Sequence, residues 1–247
     1  MEADPGRVSA WRRLLAVAVA VPALAGCSGA DALQAEQLLQ QANTAQSSVT
    51  SESISAHLTF DASGRQVRLS MTGGGYLKGA RAGDMVLDLR VDAPVSLPFG
   101  SIRVAKVGGA TWLEIDGKRV DLPAGALDSP TETNLLGAFD VTRYVKDVEV
   151  HGNQVLDGKS VTKITGVLDT ASLVQALAAL DGAGSAAGLP NLGGRVGDTR
   201  VVVYVDDTTH LLVAALADFS LHEGGQVMHM HLDLAVTGVN QPVALPA

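Results

Sequence analysis

A single cysteine, Cys27, among 247 residues excludes an intramolecular disulfide framework and any cysteine-paired metal site. Aromatic residues make up only 4% of the chain, so its core is built from Val, Leu and Ala. Charged residues reach 18%, below the usual quarter, and the mean hydropathy is +0.22. The surface is therefore sparsely charged, or apolar surface is put to use. A basic excess is also missing. The net charge of −8 and pI of about 5.1 argue against nucleic acid as a partner, because phosphate binding needs a basic footprint. After Cys27 no apolar run is long enough for a transmembrane helix. There is no G-x-S-x-G elbow. Gly73-Gly74-Gly75 lacks the Lys and Ser/Thr of a phosphate-binding loop, and Asp198, Asp206 and Asp207 lack EF-hand spacing. No catalytic residue, metal or cofactor is expected, and the reading is of a non-enzyme.

What is present begins with a leader. Arg7, Arg12 and Arg13 supply a positive n-region, and Leu14 to Ala23 form a short apolar run. Leu24-Ala25-Gly26-Cys27 follows and resembles the bacterial lipobox. That resemblance implies cleavage after Gly26 and a diacylglycerol on the Cys27 thiol. The apolar run is too short to span a bilayer, which takes about 20 residues, whereas two acyl chains anchor stably. Residues 1–26 are read as a lipoprotein signal peptide and 27–30 as a lipid-anchored tether. Residues 31–238 are read as one domain and 239–247 as a loose tail. The expected location is the extracytoplasmic face of the cell membrane, reached through the Cys27 anchor.

Along the mature chain, Asp31 is placed to cap a helix from about Ala32 to Ala45, with Leu33, Leu38, Leu39 and Ala42 on one face. Ser47 to Ser53 is a polar break. The periodicity then becomes two. Ile54, Ala56, Leu58 and Phe60 alternate with polar residues, as do Val67, Leu69 and Met71. Gly73-Gly74-Gly75 predicts a bulge or sharp bend. Further strands are predicted at Asp84–Val91, Ile102–Val107, Thr111–Ile115, Arg119–Leu122, Asp147–Leu156, Ser160–Leu168, Thr199–Val205, Leu211–Leu221 and Gln226–Thr237. Asp116-Gly117 and Asp157-Gly158 are strong hairpin turns. Helices are predicted near Leu135 to Phe139 and from Thr170 to about Leu180, and the Gly- and Ala-rich stretch 181–197 reads as a mobile loop or flap.

The sum is an α+β chain: a large curved antiparallel sheet, a half-barrel, with helices packed on its concave face. Clean alternation gives one wet and one dry face, and a sheet of about ten strands must curl. Small inner side chains then leave room for an apolar cavity. Residues on the dry strand faces, such as Leu58, Phe60, Leu87, Leu89, Val203 and Phe219, are the candidate lining. A metal-binding alternative rests on His229 and His231, which share a strand face, with His222 or Asp233 as a third ligand. It is weakened because Met228 and Met230 point to the opposite face.

The layout resembles the LppX/LprG-type lipoproteins of mycobacteria and related actinobacteria, which are similar in architecture to the LolA/LolB lipoprotein carriers. The residues that carry the resemblance are the lipobox, the helix Leu33 to Ala45, and the Ser-rich entry Ser47 to Ser55 into an alternating strand. Tyr144-Val145-Lys146-Asp147-Val148 and Val155-Leu156-Asp157-Gly158-Lys159, leading to Thr165-Gly166-Val167-Leu168-Asp169 and a helix, complete it. The resemblance implies a pocket for acyl chains, a lipid or glycolipid ligand, and a membrane transporter as a further partner. The alternative function is a structural or interaction lipoprotein of the envelope with a filled core and no ligand.

Overall fold

The structure, a computed structural model, describes residues 29–62, 65–93, 100–123, 145–169, 196–197, 199–223 and 226–246. One helix, α1 (Gly29–Gln46), precedes β1 (Ser51–Ala62), β2 (Arg65–Tyr76), β3 (Met85–Asp92), β4 (Ser101–Val107), β5 (Ala110–Ile115) and β6 (Lys118–Asp121). A second run follows: β7 (Val145–Leu156), β8 (Lys159–Leu168), β9 (Thr199–Asp206), β10 (Leu212–Glu223) and β11 (Gln226–Val239). All eleven strands join one antiparallel sheet in the order β6-β5-β4-β3-β2-β1-β11-β10-β9-β8-β7. Two meanders are therefore joined where the first strand pairs the last, through Ala56↔Leu234 and Leu58↔Leu232 among others. The sheet is not closed. Its two edges, β6 and β7, are consecutive in the chain.

The strands stand where alternation predicts them, and the turns explain the register. Asp116-Gly117 has φ of 47° and 80°, and Asp157-Gly158 has 50° and 79°. Positive φ at both central residues is the tight hairpin whose twist matches that of the strands. The triple glycine does not make a bulge. β2 runs unbroken through Gly73, Gly74 and Gly75, and the irregularity lies in the β1–β11 pairing, where Thr237 of β11 is the extra residue between the partners of Ser53 and Ile54. The glycines serve close approach instead. A Cβ on Gly73 would lie 2.2 Å from the carbonyl oxygen of Val86, and one on Gly74 would lie 2.6 Å from that of Glu52.

α1 begins at Gly29, so Asp31 lies inside its first turn and is not its cap. Ala35, Leu39 and Ala42 are buried, and with Leu38 they pack on Val148, Ile164, Val203 and Val205. Leu33 is not part of this stripe and is 62% exposed. At 100° per residue it stands roughly half a turn away from Ala35, Leu39 and Ala42. The helix ends in hydroxyls that take up two of its last carbonyls: Ser47 Oγ donates to Thr44 O and Ser48 Oγ to Ala45 O.

Two expectations need correction. A sheet covered by several helices is not what the described residues show: among them α1 is the one helix, and it covers the β7–β9 end. The helices predicted at 135–139 and 170–180 lie outside the described residues, as does the loop apart from Val196 and Gly197. Those two are held to β10, by a bridge to Leu221 and by Gly197 N–H donating to Ser220 O. The C-terminal tail is not loose. Asn240 Oδ1 accepts from the N–H and hydroxyl of Thr50, and Ser51 Oγ donates to Gln241 O. Val243 is buried and Leu245 packs against Val86, Ala105 and Trp112, on the sheet face opposite the main apolar surface.

These contacts separate two classes of glycine. Gly73→Ala is expected to destabilise the fold by about 1–3 kcal/mol, the usual cost of forcing volume into a packed site. Gly100→Ala, whose Cβ would meet only Asp116 Oδ1 at 3.8 Å, is expected to stay within about 0.5 kcal/mol of the parent. Chemical denaturation of both variants checks this, and equal losses would contradict it.

Candidate functional site

The register places apolar side chains in continuous rows across one face of the sheet. One row runs Ile115, Ile102, Leu89, Met71, Ala56, Leu234, Ala215, Val203, Ile164 and Val150, from β5 to β7 without a polar member. The next joins Val91, Leu69, Leu58, Leu232, Ala217 and Val201. Local sequence favours this: most strands alternate, and the pairings keep parity between their register shifts, which lie in β1–β11, β9–β10 and β7–β8. The sequence-predicted residues Leu58, Phe60, Leu87, Leu89, Val203 and Phe219 all share this face. Val203 is buried under α1, whereas the other five are half-buried. The described residues thus pack a helix against one end of the face and leave the rest partly open.

The apolar column of β1 ends in a charge. Phe60, Leu58, Ala56 and Ile54 are followed, two residues on, by Glu52, so its carboxylate is on the apolar side. Glu52 is 6% exposed and accepts a hydrogen bond from Gln46 Nε2 at 3.1 Å. Burial pushes the Glu52 carboxyl above its ordinary value, and the Gln46 bond opposes this in part. Gln46 Oε1 is itself buried and has no hydrogen-bond partner among the described residues. Such an atom costs about 1–3 kcal/mol. Sequence reasoning missed both residues, although the signal was there. Gln46 continues the buried stripe four residues beyond Ala42, and Glu52 has the parity of Ile54.

The opposite face carries the Val86–Ala105–Trp112 cluster over β3 to β5 and is polar toward the β1–β2 and β10–β11 turns. A depression of about 650 Å³ is lined by Thr59, Asp61, Arg200, Asp218, His229 and His231 of this face and also by Phe219 and Met230. His231 Nδ1 lies 2.6 Å from Asp218 Oδ1, and Asp61 faces His229 across the β1–β11 pair. Met228 and Met230 are on the other side, as the alternation requires. No group of three or more His, Cys, Asp or Glu able to hold a metal occurs among the described residues. His231 is already committed to Asp218, and Asp233 stands across from His57, so the expected third ligand is not assembled. Asp206 and Asp207 act structurally. Burial alone would raise the Asp206 carboxyl, but bonds from Thr209 and Thr208, with the charge of Lys159, hold it below its ordinary value. Asp207 accepts from the hydroxyls of Ser160 and Thr162, tying this turn to β8.

The pH behaviour of Glu52 is testable. A carboxyl raised in the folded state keeps its proton longer than in the unfolded chain. Its stabilising contribution is therefore complete below the ordinary value of 4.5 and lost as pH rises through the raised one. Glu52→Gln should be more stable than the parent at pH 7–8, with the gap closing as pH falls toward 4.5. Thermal melts across that range check it, and a gap independent of pH would contradict the buried charge.

No family model matches the chain, and no curated protein matches it. Solved structures do. LprF from Mycobacterium bovis superposes with a TM-score of 0.55 at 17% identity, covering 87% of this chain and 97% of LprF. The Mycobacterium tuberculosis lipoprotein LppX superposes with a TM-score of 0.52 at 18% identity, covering 87% of this chain and 99% of LppX. Among the described residues no helix is long and apolar enough to cross a membrane. The resemblance to LppX/LprG-type lipoproteins read from the residues thus has its counterpart in three dimensions: the chain carries the fold of LprF and LppX.

Proposed function

We propose that this chain is a lipoprotein of the cell envelope, anchored through a diacylglycerol on Cys27, that binds or carries the acyl chains of a lipid or glycolipid on the apolar face of its sheet. The observation that carries the reading is the unbroken apolar row from β5 to β7, half-buried over β2 to β5 and, among the described residues, packed under α1 at its far end. A contiguous exposed apolar surface on a folded chain marks a binding site. Each acyl methylene buried there contributes about 0.8 kcal/mol, so affinity needs no charge chemistry. No group of three or more His, Cys, Asp or Glu able to hold a metal occurs among the described residues, and on the other face His57 meets Ser70 Oγ and His231 meets Asp218. The fold shared with the lipoproteins LprF and LppX supports the envelope setting. Leu58, Phe60, Leu87, Leu89 and Phe219 are the lining in this reading, with Val203 beneath the helix.

The protein extracted from membranes should carry lipid beyond its own anchor, detected by native mass spectrometry. Ala217→Trp, which fills the apolar row between Val201 and Leu232, should lower that occupancy at least about fivefold, or about 1 kcal/mol. His229→Ala, on the polar face, should leave it unchanged. Protein that is lipid-free, or equally loaded in both variants, would favour a structural lipoprotein without a ligand. Separately, Cys27→Ser should move the protein from the membrane to the soluble fraction, and its retention in the membrane would remove the anchor from the account.

A further inference from the structure

α1 starts almost at the anchor point. The tether expected at residues 27–30 gives Gly29 and Ala30 to the helix, which runs from Gly29 to Gln46. Two residue steps separate Cys27 from Gly29, and at full extension they span about 7 Å. One helical turn more, at 1.5 Å per residue, adds about 6 Å. Leu33 is therefore within roughly 13 Å of the Cys27 backbone, whatever path the chain takes between them. It stands on the side of α1 turned away from the sheet, half a turn from Ala35, Leu39 and Ala42, and is 62% exposed. Gln37, Gln40 and Thr44 continue the same ridge toward the C-terminus and are exposed polar residues. α1 contains no Lys or Arg. The ridge is thus apolar where it lies nearest Cys27 and polar beyond.

The path of α1 over the sheet sets where that end comes out. Gln46, in the last turn, bonds Glu52 on β1. The body packs on Val203 of β9, Ile164 of β8 and Val148 of β7, and the helix touches β7 closely. From β1 to β7, across β11, β10, β9 and β8, the strand spacings of about 4.8 Å add up to about 24 Å. The 18 residues of α1 rise about 27 Å, so its first turn reaches the β7 edge.

We propose that the Leu33 side of α1 is a docking surface for a lipid bilayer, with the Leu33 side chain inserted at the headgroup level, so that the sheet is held with its β7 edge toward the membrane and its β6 edge away from it. The inference rests on the Cys27 anchor of the reading above and adds an orientation to it. A single exposed leucine elsewhere on a surface calls for no partner. Leu33 differs because the acyl chains on Cys27 hold the bilayer within its reach, and an apolar side chain at that distance gains by leaving water. A helix lying flat on the membrane is apolar along its whole ridge, so Gln37, Gln40 and Thr44 argue against that pose and for contact at the Leu33 end. With no basic side chain on α1, the contact draws on apolar burial and not on anionic headgroups.

Cys27 is the one cysteine of the chain, so the lipidated protein has no free thiol, and a cysteine introduced elsewhere takes a fluorescent label alone. Leu33→Cys, Thr44→Cys and Val120→Cys are labelled separately in the lipidated full chain and reconstituted in phosphatidylcholine vesicles. Val120 is the matched control, an apolar residue 52% exposed on the opposite edge, β6. The label at 33 should be quenched by a lipid-borne nitroxide and lose its quenching by aqueous iodide, and the labels at 44 and 120 should show the reverse. The Leu33→Cys label in the Cys27→Ser chain without vesicles should be open to iodide. Shielding there means that protein covers this side of α1 and overturns the inference. So does a label at 33 that stays open to iodide, or equal shielding at all three positions, in protein that floats with the vesicles, and the anchor then stands. Protein that does not float and takes the label at Cys27 overturns the inference together with the anchor.

Discussion

Everything in this structure depends on the pairing of β1 with β11. It joins two meanders, β1–β6 and β7–β11, into one surface, and every other pairing is between strands consecutive in the chain. Because side chains alternate with a period of two, this register decides which face is apolar across the whole sheet. Ala56↔Leu234 and Leu58↔Leu232 set the two halves in phase. A slip of one residue would put His231 and Asp233 opposite Leu58 and Ala56 and cut the apolar surface in two. The chain fixes the phase at the other end of β1 as well, where the bulge at Ser53/Ile54, the close-packed Gly74 and the Asn240–Thr50 bonds coincide.

That joint also explains why the tail is ordered. The residues after β11 emerge beside the start of β1, so Gln241, Val243 and Leu245 are carried across Ser51 and Tyr76 to the Val86–Ala105–Trp112 cluster. The two faces of the β3–β5 region thus differ. One is sealed by the chain's own C-terminus. The other is left half-buried, with α1 spent on the β7–β9 end. Among the described residues the sheet thus has one apolar region covered by a helix and one left half-buried.

Much of this was legible in the sequence. Strand positions followed from alternation, and the Asp116-Gly117 and Asp157-Gly158 turns followed from their need for positive φ. The six candidate lining residues fell on one face because parity is a local property. What could not be read was long-range. No local pattern tells that β1 pairs β11, so the fastening of the tail was not foreseen. The Leu33 assignment failed for a different reason: apolar residues were counted along the helix without checking their angular phase against Ala35 and Leu39. The glycine triplet was read as a bend because glycine serves either conformation or close approach, and only the neighbouring strands show which.

The central claim is that the apolar face, and not the polar one, receives the ligand. Photocrosslinking with a fatty acid that carries a diazirine on its chain, followed by peptide mapping, tests it most directly. The account requires adducts on β1 and β3, at or beside Leu58, Phe60, Leu87 and Leu89. Adducts confined to the His229–His231 face, or none at all, would contradict it.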